Sequence, residues 1–136
     1  MGKKLIIKNA NFSANAISTE GWDELSLTEG DWSGNLNTGA LVNKSGGWWT
    51  STAVDVSSYT YVKATPSFKT DVAIIIFYSD SPTKSNATTL FVSGGNYGIN
   101  TPVPIPSGAS YAIFMDGTST SPYQGSGVIA YAYIAE

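Results

Sequence analysis

Short runs of apolar, β-branched and aromatic residues alternate along the chain with clusters of Gly, Pro, Ser, Asn and Asp. Nowhere is the i, i+3, i+4 spacing of an amphipathic helix sustained. Leu5 to Lys8 reads as a short opening strand. Trp48 to Val54, Tyr59 to Ala64, Val72 to Tyr78, Thr88 to Val92, Ser110 to Met115 and Val128 to Ala135 read as strands from their β-branched and aromatic content. Turn signals separate them at Asp80-Ser81-Pro82, Ser93-Gly94-Gly95-Asn96, Pro106-Ser107-Gly108, Asp116-Gly117 and Ser121-Pro122-Tyr123. Residues 9–39 are the least regular third. Phe12, Trp22 and Trp32 anchor it at a spacing that suits short strands joined by turns. Prolines at 102, 104 and 106 cannot donate to a ladder, which puts that segment at a sheet edge.

About eight strands and no substantial helix predict an all-β fold: a single domain over 1–136, built as a two-sheet antiparallel sandwich of jelly-roll type. Two strands break the in-and-out alternation of a sheet with one wet face. Val72 to Tyr78 and Val128 to Ile134 are apolar at both parities. One face of each packs into the sandwich; the other needs cover, either from a loop of the Trp-bearing N-terminal third or from another copy of the protein. Self-association is therefore expected as one of two solutions.

Composition narrows the chemistry. The chain has no His and no Cys, and all seven basic residues are lysine. Imidazole bases, thiolate nucleophiles, disulfides and nitrogen–sulfur zinc sites are absent from its repertoire. A net charge of −3 without arginine gives no footprint for nucleic acid. No apolar run is long enough to span a membrane, and the opening Met1-Gly2-Lys3-Lys4-Leu5-Ile6-Ile7 fits neither a secretory signal nor a myristoylation motif. Synthesis in a cytoplasm follows as the expectation. The clustered carboxylates Asp23, Glu24, Glu29 and Asp31 lie among Gly, Ser and Trp and read as solvated turn residues rather than a glycosidase pair. Ser81-Pro82-Thr83-Lys84 matches a Ser-x-x-Lys pattern without its companion motifs. The chain is thus expected not to be an enzyme and to need no cofactor. Calcium is the one metal with donors on hand, at Asp23, Glu29, Asp31 or Asp116, although no spaced Asp-x-Asp-x-Asp-Gly loop occurs.

Carbohydrate binding is what the composition suggests most directly. Sugars offer C–H faces to aromatic rings and hydroxyls to amides, carboxylates and hydroxyls. Four Trp, eight Tyr and five Phe are available, with a Ser-, Thr- and Asn-rich surface around them. Trp48 and Trp49 are adjacent, so in a strand one points inward and the other outward. The candidate platform is Trp48, Trp49, Trp32, Tyr97 and Tyr123, each of which can equally cover the core or a subunit interface. Three sequons, at Asn11, Asn43 and Asn86, mean little without a secretory signal.

The opening from Lys3 to Ile17 resembles the N-terminal segment of virion proteins of Bacteroides-type phages and prophages, crAss-like phages among them. Val54-Asp55-Val56-Ser57-Ser58-Tyr59, Ile76-Phe77-Tyr78-Ser79-Asp80 and Val103-Pro104-Ile105-Pro106-Ser107-Gly108-Ala109-Ser110-Tyr111-Ala112-Ile113 are similar to a phrase recurrent in phage tail and fibre β-sandwich domains. The resemblance implies a head or tail fibre or capsid decoration protein, made in the host cytoplasm and carried on the virion surface. It further implies self-assembly, with a trimer as the first expectation, contact with other virion proteins through a docking segment at 1–17, and contact with cell-surface carbohydrate. The chain has no repeat and no heptad shaft, so a knob or decoration is implied rather than a shaft. A free-standing carbohydrate-binding module is the alternative.

Overall fold

The computed structural model describes residues 21–36, 38–67, 72–83, 89–93, 101–117 and 122–135. Among them eleven strands follow one another: β1 (Asp23–Leu25), β2 (Trp32–Gly34), β3 (Leu41–Asn43), β4 (Trp48–Thr50), β5 (Val54–Asp55), β6 (Tyr61–Pro66), β7 (Val72–Tyr78), β8 (Thr89–Ser93), β9 (Val103–Pro104), β10 (Tyr111–Gly117) and β11 (Val128–Tyr133). The fold is all-β, as expected. The expected strand at Leu5 to Lys8 and the segment 1–17 lie outside the described residues.

One sheet runs β1-β11-β6-β9. The other runs β4-β10-β7-β8 with β5 also on β10, while β2 and β3 form a separate hairpin. Every pairing is antiparallel. β4 and β5 lie along one edge of β10, at Met115–Gly117 and at Tyr111–Ala112. They act as one strand interrupted at Ser51, whose N–H donates to Phe114 O at 2.9 Å. Its hydroxyl accepts the Phe114 N–H at 3.0 Å and so stands in for a ladder carbonyl. Taken without the hairpin, the sandwich pairs its first strand with its last (β1 with β11), its second with its seventh (β4/β5 with β10), its third with its sixth (β6 with β9) and its fourth with its fifth (β7 with β8). That nested order is a long antiparallel hairpin rolled into two layers, the jelly roll.

Alternation puts one parity of each central strand between the layers. Ala73, Ile75 and Phe77 of β7, and Ala112 and Phe114 of β10, meet Val62 and Ala64 of β6 and Val128, Ala130 and Ala132 of β11 in one buried cluster. The four-stranded sheet supplies small side chains and the five-stranded sheet supplies rings, so the inner faces interdigitate. Each fully buried large apolar side chain contributes roughly 1.5–3 kcal/mol.

The opposite parity of β7 and β10 forms a second buried cluster of Ile74, Ile76, Tyr78, Ile113 and Met115 together with Leu41 of the hairpin. The hairpin therefore covers the outer face of this sheet, which is the loop solution to the first of the two strands apolar on both sides. Tyr78 donates its buried hydroxyl to Gly39 O at 2.6 Å, and the Ser33 and Thr50 hydroxyls bond at 3.1 Å. Gly34 permits the close approach: a β-carbon there would run into the tip of Ile76 and lie 3.1 Å from that of Ile113. The second such strand, β11, differs. Its inner residues are buried, but Ile129 on the outer face is 49% exposed.

Two glycines separate two kinds of tightness. Gly127 has φ +95°, and a β-carbon would sit 2.6 Å from Cε2 of the buried Trp49 ring, which cannot retreat. Gly34 meets the far ends of two isoleucines instead. Gly127→Ala is expected to cost about 2–4 kcal/mol from backbone strain plus overpacking, and Gly34→Ala about 1 kcal/mol. Urea denaturation reads both; equal midpoint shifts would contradict this ranking.

Candidate ligand-binding cleft

The segment between β1 and β2 is held against the interrupted strand. Gly30 N–H donates to Thr50 O and Thr52 N–H donates to Thr28 O, both at 2.7 Å, with Glu29 bridged to Ser51. At Gly30 a side chain would press on the Ser51 carbonyl and the Thr52 nitrogen at 3.2 Å. The chain then enters β2, which gathers Glu29, Asp31 and Trp32 within four positions. They border a cleft of about 290 Å³ that Ser51, Thr52, Ala53 and Pro82 also line, above Leu41 and Ile113. Leu41 and Ile113 are buried, whereas Trp32 is 37% exposed.

Glu29 Oε2 accepts from Lys44 Nζ at 2.8 Å. Such an exposed pair contributes only about 0–1 kcal/mol; its larger effect is to cancel one of the two carboxylate charges at the rim. An apolar floor, an indole on the wall and carboxylate and hydroxyl groups on the rim make an amphiphilic recess. It can bury one face of a small ring and accept hydrogen bonds from its edge.

The other expected platform residues are distributed differently. Trp48 and Trp49 do point to opposite sides of the sheet, as the strand period requires. Trp49 is 7% exposed and belongs to the inter-sheet core. A ring so enclosed offers no face to a sugar, and the platform expectation for Trp49 gives way to a core role. Trp48 packs half-buried on the outer cluster, with its ring edge over Gly117. Tyr97 lies outside the described residues. Tyr123 packs against the inter-sheet core and donates to Oδ2 of the fully buried Asp116 at 2.5 Å. Its oxygen also bonds the Ser67 hydroxyl at 3.0 Å and accepts the Gly127 N–H at 3.0 Å. It ties the approach to β11 onto the end of the sandwich. Of the four that are described, Trp32 alone stands in the cleft.

An aromatic cluster escaped the sequence reading. On the outer face of the four-stranded sheet, Tyr133 lies 5.0 Å from Trp22 and 6.5 Å from Tyr61, measured between ring centroids. Lys63 Nζ sits 4.2 Å from the Trp22 ring centre and 5.9 Å from that of Tyr131. Lys63 is only 4% exposed, and burial pushes its ammonium pKa down. The signal was present as a parity: Tyr61, Lys63 and Thr65 on β6, and Ile129, Tyr131 and Tyr133 on β11, face one way. Trp22 precedes β1 and carried no periodic cue.

The four carboxylates considered for calcium are scattered. Asp23 on β1 accepts from the Tyr59 hydroxyl at 3.0 Å, Glu29 and Asp31 border the cleft, and Asp116 lies inside the sandwich. No group of three or more metal-ligating side chains converges among the described residues.

The Tyr123 contacts carry a pH signature. Burial first, then the hydrogen bond to Asp116, push its phenol up to about 12 from an ordinary 10.0. The folded protein holds that proton more tightly than the unfolded chain, so the stabilisation is complete below pH 10 and drains away as pH rises from 10 towards 12. Urea midpoints of the wild type should therefore fall across this window, and Tyr123→Phe should fall less steeply. A variant as alkali-sensitive as the wild type would contradict the assignment. In comparison with known proteins, the chain matches no family model, no curated protein and no solved structure.

Proposed function

We propose that the protein is a non-enzymatic virion accessory component, part of a phage head or tail, that assembles with copies of itself and presents a cleft to host-surface glycans. The observation that supports assembly is the contrast between the two outer faces. The five-stranded sheet is covered by its own hairpin, while among the described residues the outer face of the four-stranded sheet is covered only at Trp22 and keeps Ile129 49% exposed beside the half-buried Tyr61, Tyr131 and Tyr133. A face of this kind on a β-sandwich is an interaction surface.

The occupant is a second copy. Across the sheet, Glu24, Tyr131 and Lys63 stand in one row. The row thus holds one charge of each sign, with the lysine buried under Trp22, and two copies of it do not repel. The resemblance of the opening segment and of the Val54 to Ile113 phrase to phage virion proteins supports the particle setting, where components meet repeated copies of themselves. A free-standing carbohydrate-binding module is the second reading, favoured by the cleft at Trp32, which needs no partner subunit.

Sedimentation velocity is expected to show an oligomer, a trimer on the resemblance, that Ile129→Glu converts to monomer without loss of fold. An exposed position tolerates such a change within about 0.5 kcal/mol. Mass spectrometry of purified particles should find the chain. A wild-type monomer absent from particles would sink the assembly reading and leave the module.

A further inference from the structure

We propose that the cleft at Trp32 selects by charge: it takes an uncharged pyranose and turns away sialic and uronic acids. The inference rests on the glycan-contact reading above and specifies which class of sugar that contact admits.

The rim is the first argument. Glu29 and Asp31 both border the cleft, and Lys44 is engaged by Glu29 at 2.8 Å and is not among the lining residues. No lysine lines the recess among the described residues, and the whole chain has no arginine. Among the described residues a carboxylate on the ligand would therefore face Asp31 without a counter-charge, in a partly enclosed space where screening by water is reduced. Neutral hydroxyls meet the same groups as acceptors and are bound by them, since an ionised carboxylate only accepts.

Shape is the second argument. At about 290 Å³ the cleft lies at the small end of ligand pockets, roughly 300–1,000 Å³. That suits a terminal sugar ring better than a long chain. Leu41 and Ile113 give the floor no hydrogen-bonding side chain, so the ring face that enters must be apolar. The C–H face of a pyranose meets that condition, with the Trp32 indole as its stacking partner. The hydroxyls on the ring edge are left for Asp31 and Thr52. An extended polyanionic glycan satisfies neither requirement.

Titration of the intact protein with a panel of neutral oligosaccharides and their sialylated or uronic-acid counterparts, followed by tryptophan fluorescence and by NMR, tests this. Neutral sugars are expected to bind and acidic ones to bind about two- to fivefold more weakly, the scale of one partly screened charge contact. Trp32→Ala is expected to weaken neutral-sugar binding by roughly tenfold, and Trp32→Tyr to retain most of it, which guards against loss through misfolding. Asp31→Asn should narrow the gap between neutral and acidic ligands while leaving the Trp32 dependence intact. Equal or tighter binding of acidic sugars at Trp32 would overturn the charge rule and leave the glycan reading standing. Neutral-sugar binding that survives Trp32→Ala would overturn the location. No binding by any sugar in the panel would overturn both.

Discussion

The central strand pair of the five-stranded sheet is apolar on both faces, and the rest of the molecule is arranged around covering it. β7 and β10 pair along seven residues each. Their inner side chains build the core against the second sheet; their outer side chains would otherwise face water. A sandwich buries only one side of each sheet, so the chain supplies a third layer from its own irregular N-terminal part. The hairpin lays Leu41 on that outer face and is pinned by the Tyr78 hydroxyl to the Gly39 carbonyl. Leaving that buried hydroxyl without a partner would cost about 1–3 kcal/mol, so the polar contact fixes position where the apolar contact alone would slide.

The cleft is a by-product of this cover. To reach the outer face, the chain must leave β1, pass along the free edge of the interrupted strand and turn into β2. The Gly30 and Thr52 hydrogen bonds guide that path. Glu29, Asp31 and Trp32 end up together because they lie on the turn between edge and cover. The cleft and the cover thus share one segment: the residues that bring the hairpin onto the sheet also set the rim of the recess.

Much of the architecture was legible in the residue pattern. The strands at Val72, Ser110 and Val128 are long enough for their parity to be read, and the double apolar face of Val72 to Tyr78 correctly called for extra cover, whereas the outer face of β11 keeps Ile129 49% exposed. Pro106-Ser107-Gly108 does turn the chain ahead of β10, with Gly108 at φ +89°. The nested pairing was less visible, because partners such as Asp23 and Ala132 sit at opposite ends of the chain and no local signal joins them. The hairpin strands, three residues each, are too short to show a period. For the site, side-chain direction was legible and exposure was not. Trp48 and Trp49 alternate as the strand demands, yet which side of the sheet lies open depends on where the hairpin and second sheet settle. Lys63 shows the same limit, since a lysine on an outer face reads as solvated until Trp22 closes over it.

Native-state amide hydrogen exchange tests the covering layer most directly. The account predicts that the hydrogen-bonded amides of the β2–β3 hairpin exchange with protection close to that of β7 and β10, because the sheet cannot uncover its outer face without unfolding as a whole. Hairpin amides that exchange orders of magnitude faster, while β7 and β10 stay protected, would contradict it. They would show a detachable flap over a sheet that does not need it.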